Sequence, residues 1–202
     1  MLVKRDYERT RSELLAAAYL EIHHVGYQAA SLSRILQQCQ LSKGALYHHF
    51  SNKKALGLAV IEEVIRPEID SMWLQPLANN DDPLTAIRDI LHANKALLTE
   101  EFIQYGCPLN NLAQEMSPID DDFRASIDAL YADWRQHWLR ALEEGQRQLL
   151  VRKDIDAGHA VTFIIAALEG CIGMAKNARS AEMLFSCAAG LMDYLDTLKI
   201  RS

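Results

Sequence analysis

Side chains suited to nucleic acid gather between Ser31 and Phe50, where SLSRILQQCQLSKGALYHHF supplies hydroxyls, cations, imidazoles and a phenol at helical spacing. Ser42 stands where a helix N-cap is wanted, its hydroxyl set to accept from an orphan amide of the segment that follows. From there Ala45 and Leu46 fall on an inward face, and Lys43, Gly44, Tyr47 and His48 on the outward one. A helix so decorated fits a major groove. Lys43 reaches guanine acceptors or a phosphate, Ala45 a thymine methyl, and Gly44 and His48 complete the base-facing row. Ser31, Ser33 and Arg34 flank the groove edge, while Tyr47 and His49 lie within reach of backbone phosphates. Lys53 and Lys54 open the next helix, where positive charge opposes the helix dipole at a cost of about 0.3 kcal/mol each. A docked phosphate reverses that sign, because the free amides, the dipole and Lys53 then favour the same anion.

Elsewhere the chemistry is sparse. Glu169 interrupts the apolar run from Val161 to Met174, and a carboxylate there must be paired: by a polar ligand, by a subunit salt bridge or by a close hydrogen bond. The four cysteines, at 39, 107, 171 and 187, have no metal-ligand spacing and are expected to stay reduced in a cytosolic chain. His23-His24 and His48-His49 are adjacent pairs, about 100° apart on a helix, and cannot chelate one ion as an i, i+4 pair does. No nucleophile elbow, phosphate loop or paired catalytic carboxylates occur, so neither an enzyme, a metal nor a cofactor is expected.

The elements that hold these residues are helical from end to end. Leu32, Ile35 and Leu36 trace one face of the first short helix, and Leu14, Leu15, Ala18, Tyr19, Ile22 and Val25 trace the buried face of a longer helix that Gly26 terminates. A fourth helix starts near Asn52, is bent or broken at Pro67 and resumes until Pro76. Further helices are expected over about 84–98, after Cys107-Pro108, over about 120–149, over about 156–177 with Asp156 as N-cap, and over about 181–199. The 202 residues carry a net charge of -6, unevenly divided: residues 1–60 hold eight Lys or Arg against four Asp or Glu, a net of +4, leaving -10 for the rest. Only the N-terminal part invites phosphates. No stretch approaches the roughly 18 apolar residues of a membrane span, and the charged N-terminus lacks the apolar core of a signal peptide, so a cytoplasmic protein is expected.

Gly26-Tyr27, Ile35, Leu41-Ser42-Lys43-Gly44, Tyr47-His48-His49-Phe50 and Lys53-Lys54-Ala55-Leu56 keep one register over residues 9–58. In that register the chain resembles the tetracycline-repressor (TetR) family of bacterial regulators. The resemblance implies an all-α fold of nine or ten helices, with a helix-turn-helix DNA-binding domain over 1–50 and a larger helical ligand-binding and dimerisation domain over 51–202. It supports the phosphate roles of Tyr47 and His49. Three positions depart from the family pattern: Ala30 replaces a usual Thr, Leu36 a small residue and Gln40 a Gly. Leu36 widens or rotates the crossing of the two short helices, and Gln40 carries strain on the order of 1 kcal/mol if its φ is positive.

One recognition helix makes too few contacts for specificity, so a two-fold dimer on a palindromic double-stranded operator is expected. The segment over 157–173 is apolar around most of its circumference and must be buried on two sides, and the last helix carries a broad apolar stripe with small residues that allow close approach. Ile165, Leu168, Ile172, Leu184, Leu191, Tyr194 and Leu195 are the expected dimer contacts, in a four-helix bundle. The resemblance also implies a pocket in the C-terminal domain for an unidentified small-molecule inducer, whose occupancy moves the fourth helix and spreads the DNA-binding heads. Its candidate lining is Trp73, Phe102, Cys107, Asn111, Phe123, Trp134, Trp138, Phe163 and Glu169. The segment from Gly106 to Glu115 looks like one branch of the family in which a pocket cysteine responds to electrophiles or oxidants. Cys107 is thus either a thiolate at a helix N-terminus or a small buried hydrophobe. Three functions follow from these readings: a ligand-released repressor, an electrophile or redox sensor acting through Cys107, and a helical small-molecule-binding or enzymatic protein without a DNA role.

Overall fold

The computed structural model describes residues 2–78, 80–94 and 99–200. Among them the chain is all-α as expected, with an isolated antiparallel bridge between Val151 and Lys199 instead of any strand. It forms two compact units. The first takes residues up to Glu68 together with Pro108–Asp128; the second takes Ile69–Cys107 and the residues from Ala129 onward.

In the first unit α1 (Leu2–Val25) buries Leu14, Leu15, Ala18 and Ile22. Val25, expected on the same face, is 44 % exposed at the end of the helix, where Gly26 turns the chain at φ 82°. The turn leads to α2 (Leu32–Cys39), of which only Ile35 is fully buried, and to α3 (Lys43–His49), anchored by Leu46 at 0 % exposure. Between them Gln40 has φ 54°, the left-handed conformation in which glycine is favoured. Its N–H closes on Gln37 O and Leu36 O, and the Leu41 N–H follows to Leu36 O at 3.1 Å. We therefore expect Gln40→Gly to raise stability by about 0.5–1 kcal/mol, the relief of the Cβ penalty being partly offset by the added freedom of the unfolded chain. Urea midpoints measure this, and a lower midpoint for the variant would contradict it.

The run from Lys53 to Ala78 passes Pro67 without a break, one of the two outcomes expected there. Helix α4 (Lys53–Val60) passes into a π-helical turn over Ile61–Ile65, then α5 (Arg66–Ile69), a second π turn over Asp70–Leu74, and α6 (Gln75–Ala78). Each wide turn immediately precedes a proline-bearing segment and contains the residue four before that proline, Glu63 or Met72. A proline ring clashes with the i−4 carbonyl and offers no N–H to it. Widening the turn moves that carbonyl aside, so the helix continues.

In the second unit α7 (Pro83–Asn94) is capped by Asp82, whose Oδ1 accepts from the amides of Leu84 and Thr85. Its expected continuation over 95–98 lies outside the described residues. Helix α8 (Glu100–Tyr105) was not expected; Thr99 Oγ1 caps it by accepting from the Phe102 amide at 3.1 Å, and Gly106 ends it at φ 70°. Helix α9 (Pro108–Met116) belongs to the first unit, and α10 (Asp121–Arg147) runs through both. Helices α11 (Ala157–Ala178) and α12 (Ala181–Thr197) pack side by side, capped by Asp156 and Ser180. Their pairing overturns the expectation that every cysteine is reduced. It brings Cys171 and Cys187 to a Cα separation of 5.7 Å, within disulfide reach, and the two are bonded; Cys39 and Cys107 form no disulfide.

Candidate nucleic-acid interface and ligand cavity

The recognition surface starts from a cap. Ser42 Oγ accepts from the Ala45 amide at 3.1 Å, which fixes the first turn of α3 and sets its rotation, since Leu46 then points into the core. Lys43, Gly44, Tyr47 and His48 are exposed together on the opposite face, with Ala45 half-buried beside them. The Lys43 ammonium lies 5.9 Å from the centre of the Tyr47 ring, a cation–π distance that gathers charge and phenol into one patch. A side chain at Gly44 would meet only Ser42 Oγ, at 3.7 Å. The protein's own packing therefore does not require glycine there, and the bare backbone is free for close approach from outside.

Other expected contacts are more committed to the protein itself. Arg34 donates Nε to the buried Glu21 at 2.5 Å and a second nitrogen to Ala29 O at 3.1 Å. Ser31 spends its amide on the same Glu21, whereas Ser33 is exposed. His49 is half-buried against Tyr7, with ring centres 4.2 Å apart; burial first, then the charges of His48 and Arg11, hold its pKa below the ordinary imidazole value. Lys53 Nζ donates to Gln28 O at 3.1 Å and sits 4.7 Å from the Tyr27 ring centre. Lys54 pairs with Asp120 and Asp122 at 2.8 and 2.6 Å, which raises its pKa. The unfavourable charge at the start of α4 is thus balanced from within by carboxylates far along the chain.

The second unit holds a cavity of about 490 Å³ between α7, α8, α11, α12 and the second π turn. Trp73 and Phe102 line it as expected. Trp134 and Trp138 stand behind Trp73, at centroid distances of 5.3 and 6.2 Å, and Trp138 Nε1 fixes that wall by donating to Trp73 O. Leu168, Ile172, Leu184 and Leu191, expected at a dimer interface, are also lining residues. Leu168, Leu184 and Leu191, together with Ile165 and Leu195, are buried within this one chain, because α11 and α12 turn their larger aliphatic side chains toward each other and toward the cavity. His92 and Asp193 are the ionisable side chains of the lining; neither stood out in the sequence, where nothing distinguishes them from solvated helix charges.

Three remaining candidates lie elsewhere. Phe123 is fully buried in the first unit, 4.5 Å from the Tyr27 ring centre, and Asn111 borders a void there of about 10 Å³, room for one water at most. Phe163 points outward, 52 % exposed, edge-on to Tyr194 at 4.6 Å. Cys107 and Glu169 do meet. The buried thiol donates to Glu169 Oε1 at 3.3 Å, and the Tyr131 hydroxyl bonds the same carboxylate. Burial pushes the Glu169 pKa up to about 7 against these two bonds.

Comparison with known proteins agrees with the all-α fold and its N-terminal helix-turn-helix. Residues 14–60 match the family model described as bacterial regulatory proteins, tetR family, and residues 83–189 match the tetracyclin repressor-like C-terminal domain. The chain is 30 % identical over 186 residues to an uncharacterised HTH-type transcriptional regulator of the lacX 3′ region in Lactococcus lactis subsp. lactis, covering 90 % of each. It is 25 % identical to the HTH-type transcriptional repressor DhaR of a Mycobacterium species, over 79 % of this chain and 78 % of that one. Among solved structures, a TetR regulatory protein from Rhodobacter sphaeroides superposes with a TM-score of 0.81 at 25 % identity, over 91 % of this chain and 97 % of the other.

Proposed function

Because this chain belongs to the TetR family of bacterial helix-turn-helix transcriptional regulators, we propose that it represses transcription as a homodimer bound to a palindromic operator and is released by an apolar small molecule. The observation that carries the DNA side is the exposed row Lys43, Gly44, Tyr47 and His48 on a capped helix whose rotation Leu46 fixes. Lys43, Gly44, Ala45 and His48 read bases, and Tyr47, Ser33 and His49 face the phosphate backbone. Arg34, Ser31 and Lys53, bonded to Glu21 and Gln28, hold the head together and reach DNA only at its edge.

For dimerisation the supporting surface is the outward side of α11 and α12. Phe163, Ala166, Gly170, Gly173 and Met174 recur at helical spacing on exposed or open positions, and Gly190 and Tyr194 lie on α12. This accounts for the composition of α11. Among the described residues it is the helix long and apolar enough to cross a membrane, yet 44 % of that apolar stretch is buried in the chain's own core, and a partner subunit takes the rest. The cavity, walled by aromatic and aliphatic side chains, is sized for a ring-bearing, largely uncharged ligand. Cys107, buried and bonded to Glu169, is not required for such reversible release, and Cys107→Ser retains the response in this reading.

Selection of genomic DNA fragments by the purified protein at near-physiological salt, followed by sequencing, tests the proposal. One palindrome should be enriched. On it, Tyr47→Ala should weaken binding to all sequences alike, whereas Lys43→Ala and His48→Ala should cost about 1–3 kcal/mol each and relax preference at particular base pairs. Sequence-independent losses for all three would remove the readout assignment.

A further inference from the structure

The turn between α1 and α2 is held by residues that come from far along the chain. Gly26 N–H closes α1 on Ile22 O at 2.8 Å, and Gly26 O accepts from Ala30 N at 3.0 Å. The next two amides, of Tyr27 and Gln28, point away from that turn and need acceptors of their own. Both donate to one carboxylate: Tyr27 N–H to Glu115 Oε2 and Gln28 N–H to Glu115 Oε1, each at 2.8 Å. Charge-assisted bonds of this kind are short and strong, and the pair fixes direction as well as distance. The carboxylate sits so close to the backbone that a Cβ on Gly26 would lie 2.9 Å from Oε2, so glycine is needed here for the approach of Glu115 as well as for its φ of 82°. From the other side Lys53 Nζ takes Gln28 O, completing a clasp in which the turn donates to an anion and accepts from a cation.

Glu115 lies on α9, which begins directly after Cys107, and the chain beyond it supplies Asp120 and Asp122 to Lys54. Two independent sets of contacts therefore tie residues 108–128 to the helix-turn-helix: a carboxylate on the α1–α2 turn and two carboxylates at the start of α4. A stable three-helix head does not need the first of these, since water satisfies amides on an exposed turn equally well. What the bidentate contact adds is a fixed relation between α9 and the segment from which α2 and α3 depart.

We propose that Glu115 is the positioning residue through which α9 sets the orientation of α2 and α3 for DNA, so that the seating of α9 decides operator affinity. The inference rests on the operator-binding reading above, and one arm of its test does not. In the full-length protein, amide exchange at Tyr27 and Gln28 should be at least tenfold faster in Glu115→Ala than in the wild type, while the core amides of Leu14 and Ile35 keep their protection. Affinity for the selected palindrome should fall about tenfold or more, with affinity for unrelated duplex unchanged, because phosphate contacts survive a reoriented head and base contacts do not. Glu115→Gln, of the same shape but with one acceptor instead of two, should lie between the two in both measurements and remains available if Glu115→Ala does not fold. Unchanged exchange would overturn the clasp. Faster exchange with an unchanged ratio of palindrome to unrelated-duplex affinity would overturn the positioning role. Failure of the wild type to select any palindrome would remove the operator reading and leave the exchange result to decide the clasp.

Discussion

A Gly170→Arg variant is expected to elute as a folded monomer and to bind the selected operator about a hundredfold or more weaker than the wild-type protein. The protomer has no objection to the new side chain. Gly170 lies on the open side of α11, with nothing within 4 Å of an added Cβ, and replacing glycine inside a helix gains about 0.5–1 kcal/mol of helix propensity. In the proposed dimer the same position lies among Phe163, Ala166, Gly173 and Met174 and their symmetry mates. There two guanidinium groups would be taken out of water without a carboxylate to meet them, a desolvation cost of several kcal/mol per ion. Losing the dimer loses the linked second half-site, which is worth 10²–10⁴ in apparent affinity. Light scattering and operator titration on the same sample decide the matter. A dimeric Gly170→Arg protein would move the interface off this face, and a monomer with undiminished operator affinity would remove the dimeric mode of binding. The contrast with Leu191→Asp is instructive: Leu191 is buried and lines the cavity, so that substitution damages the protomer and says nothing about the partner.

Periodicity suggests a second covered face on these helices without saying which side of the proposed dimer it serves. A helix apolar on most of its circumference announces that both sides are covered; it does not say which side meets its own chain. Leu168, Leu184 and Leu195 were the obvious anchors by size, and for that reason they fill the interior, where large aliphatic groups bury most area. The face proposed for a partner is made of Gly170, Gly173, Ala166 and Gly190, residues whose smallness carries little signal without a neighbour to measure it against.

The helix-turn-helix was legible for the opposite reason. Its signals are local: the Ser42 cap, the Leu46 anchor, the outward row beside it and the left-handed turn at Gln40 each depend on residues within four positions. What stayed hidden there depends on distant partners: Glu115 lies 88 and 87 positions from Tyr27 and Gln28, and Asp120 and Asp122 pair with Lys54 from another part of the chain. Lys53 and Lys54 read as bare cations in the sequence; in the fold Lys53 Nζ meets Gln28 O and Lys54 pairs with Asp120 and Asp122 from a distant stretch. Phe123 reads as a pocket residue in the sequence for the same reason, and α10 delivers it instead to the Tyr27 ring in the first unit. Proline chemistry marks Pro67 as a point of disturbance but leaves bend or break open, and the wide turn before it relieves the clash without a break.

Glu169→Gln is expected to flatten much of the pH dependence of stability between about pH 4.5 and 7. Glu169 stands in the sequence as a carboxylate needing a partner, and what it has is a thiol and a phenol, neither of them charged partners: Cys107 at 3.3 Å and the Tyr131 hydroxyl. Its Oε2 meets no hydrogen-bond partner among the described residues. Burial therefore dominates and pushes its pKa from 4.5 up to about 7. The same burial, with the Glu169 charge second, raises that of Tyr131. In the window between the two Glu169 values the folded protein holds a proton that the unfolded chain has released. Stability must then fall as pH rises through that window and level off above it. An upward shift of this size corresponds to about 3 kcal/mol, an upper figure because the buried site relaxes. Glutamine keeps the shape and an acceptor for Cys107 and Tyr131 but has no charge to desolvate, so at pH 8 the variant should unfold at higher urea than the wild type, whereas near pH 4.5 the two should nearly coincide. Urea midpoints at pH 4.5, 6 and 8 give the comparison as a difference of differences, in which the other titrating groups cancel. Parallel curves for the two proteins would mean that Glu169 keeps an ordinary pKa in the fold, and a variant less stable at every pH would mean that the ionised carboxylate is the form the second unit is built around.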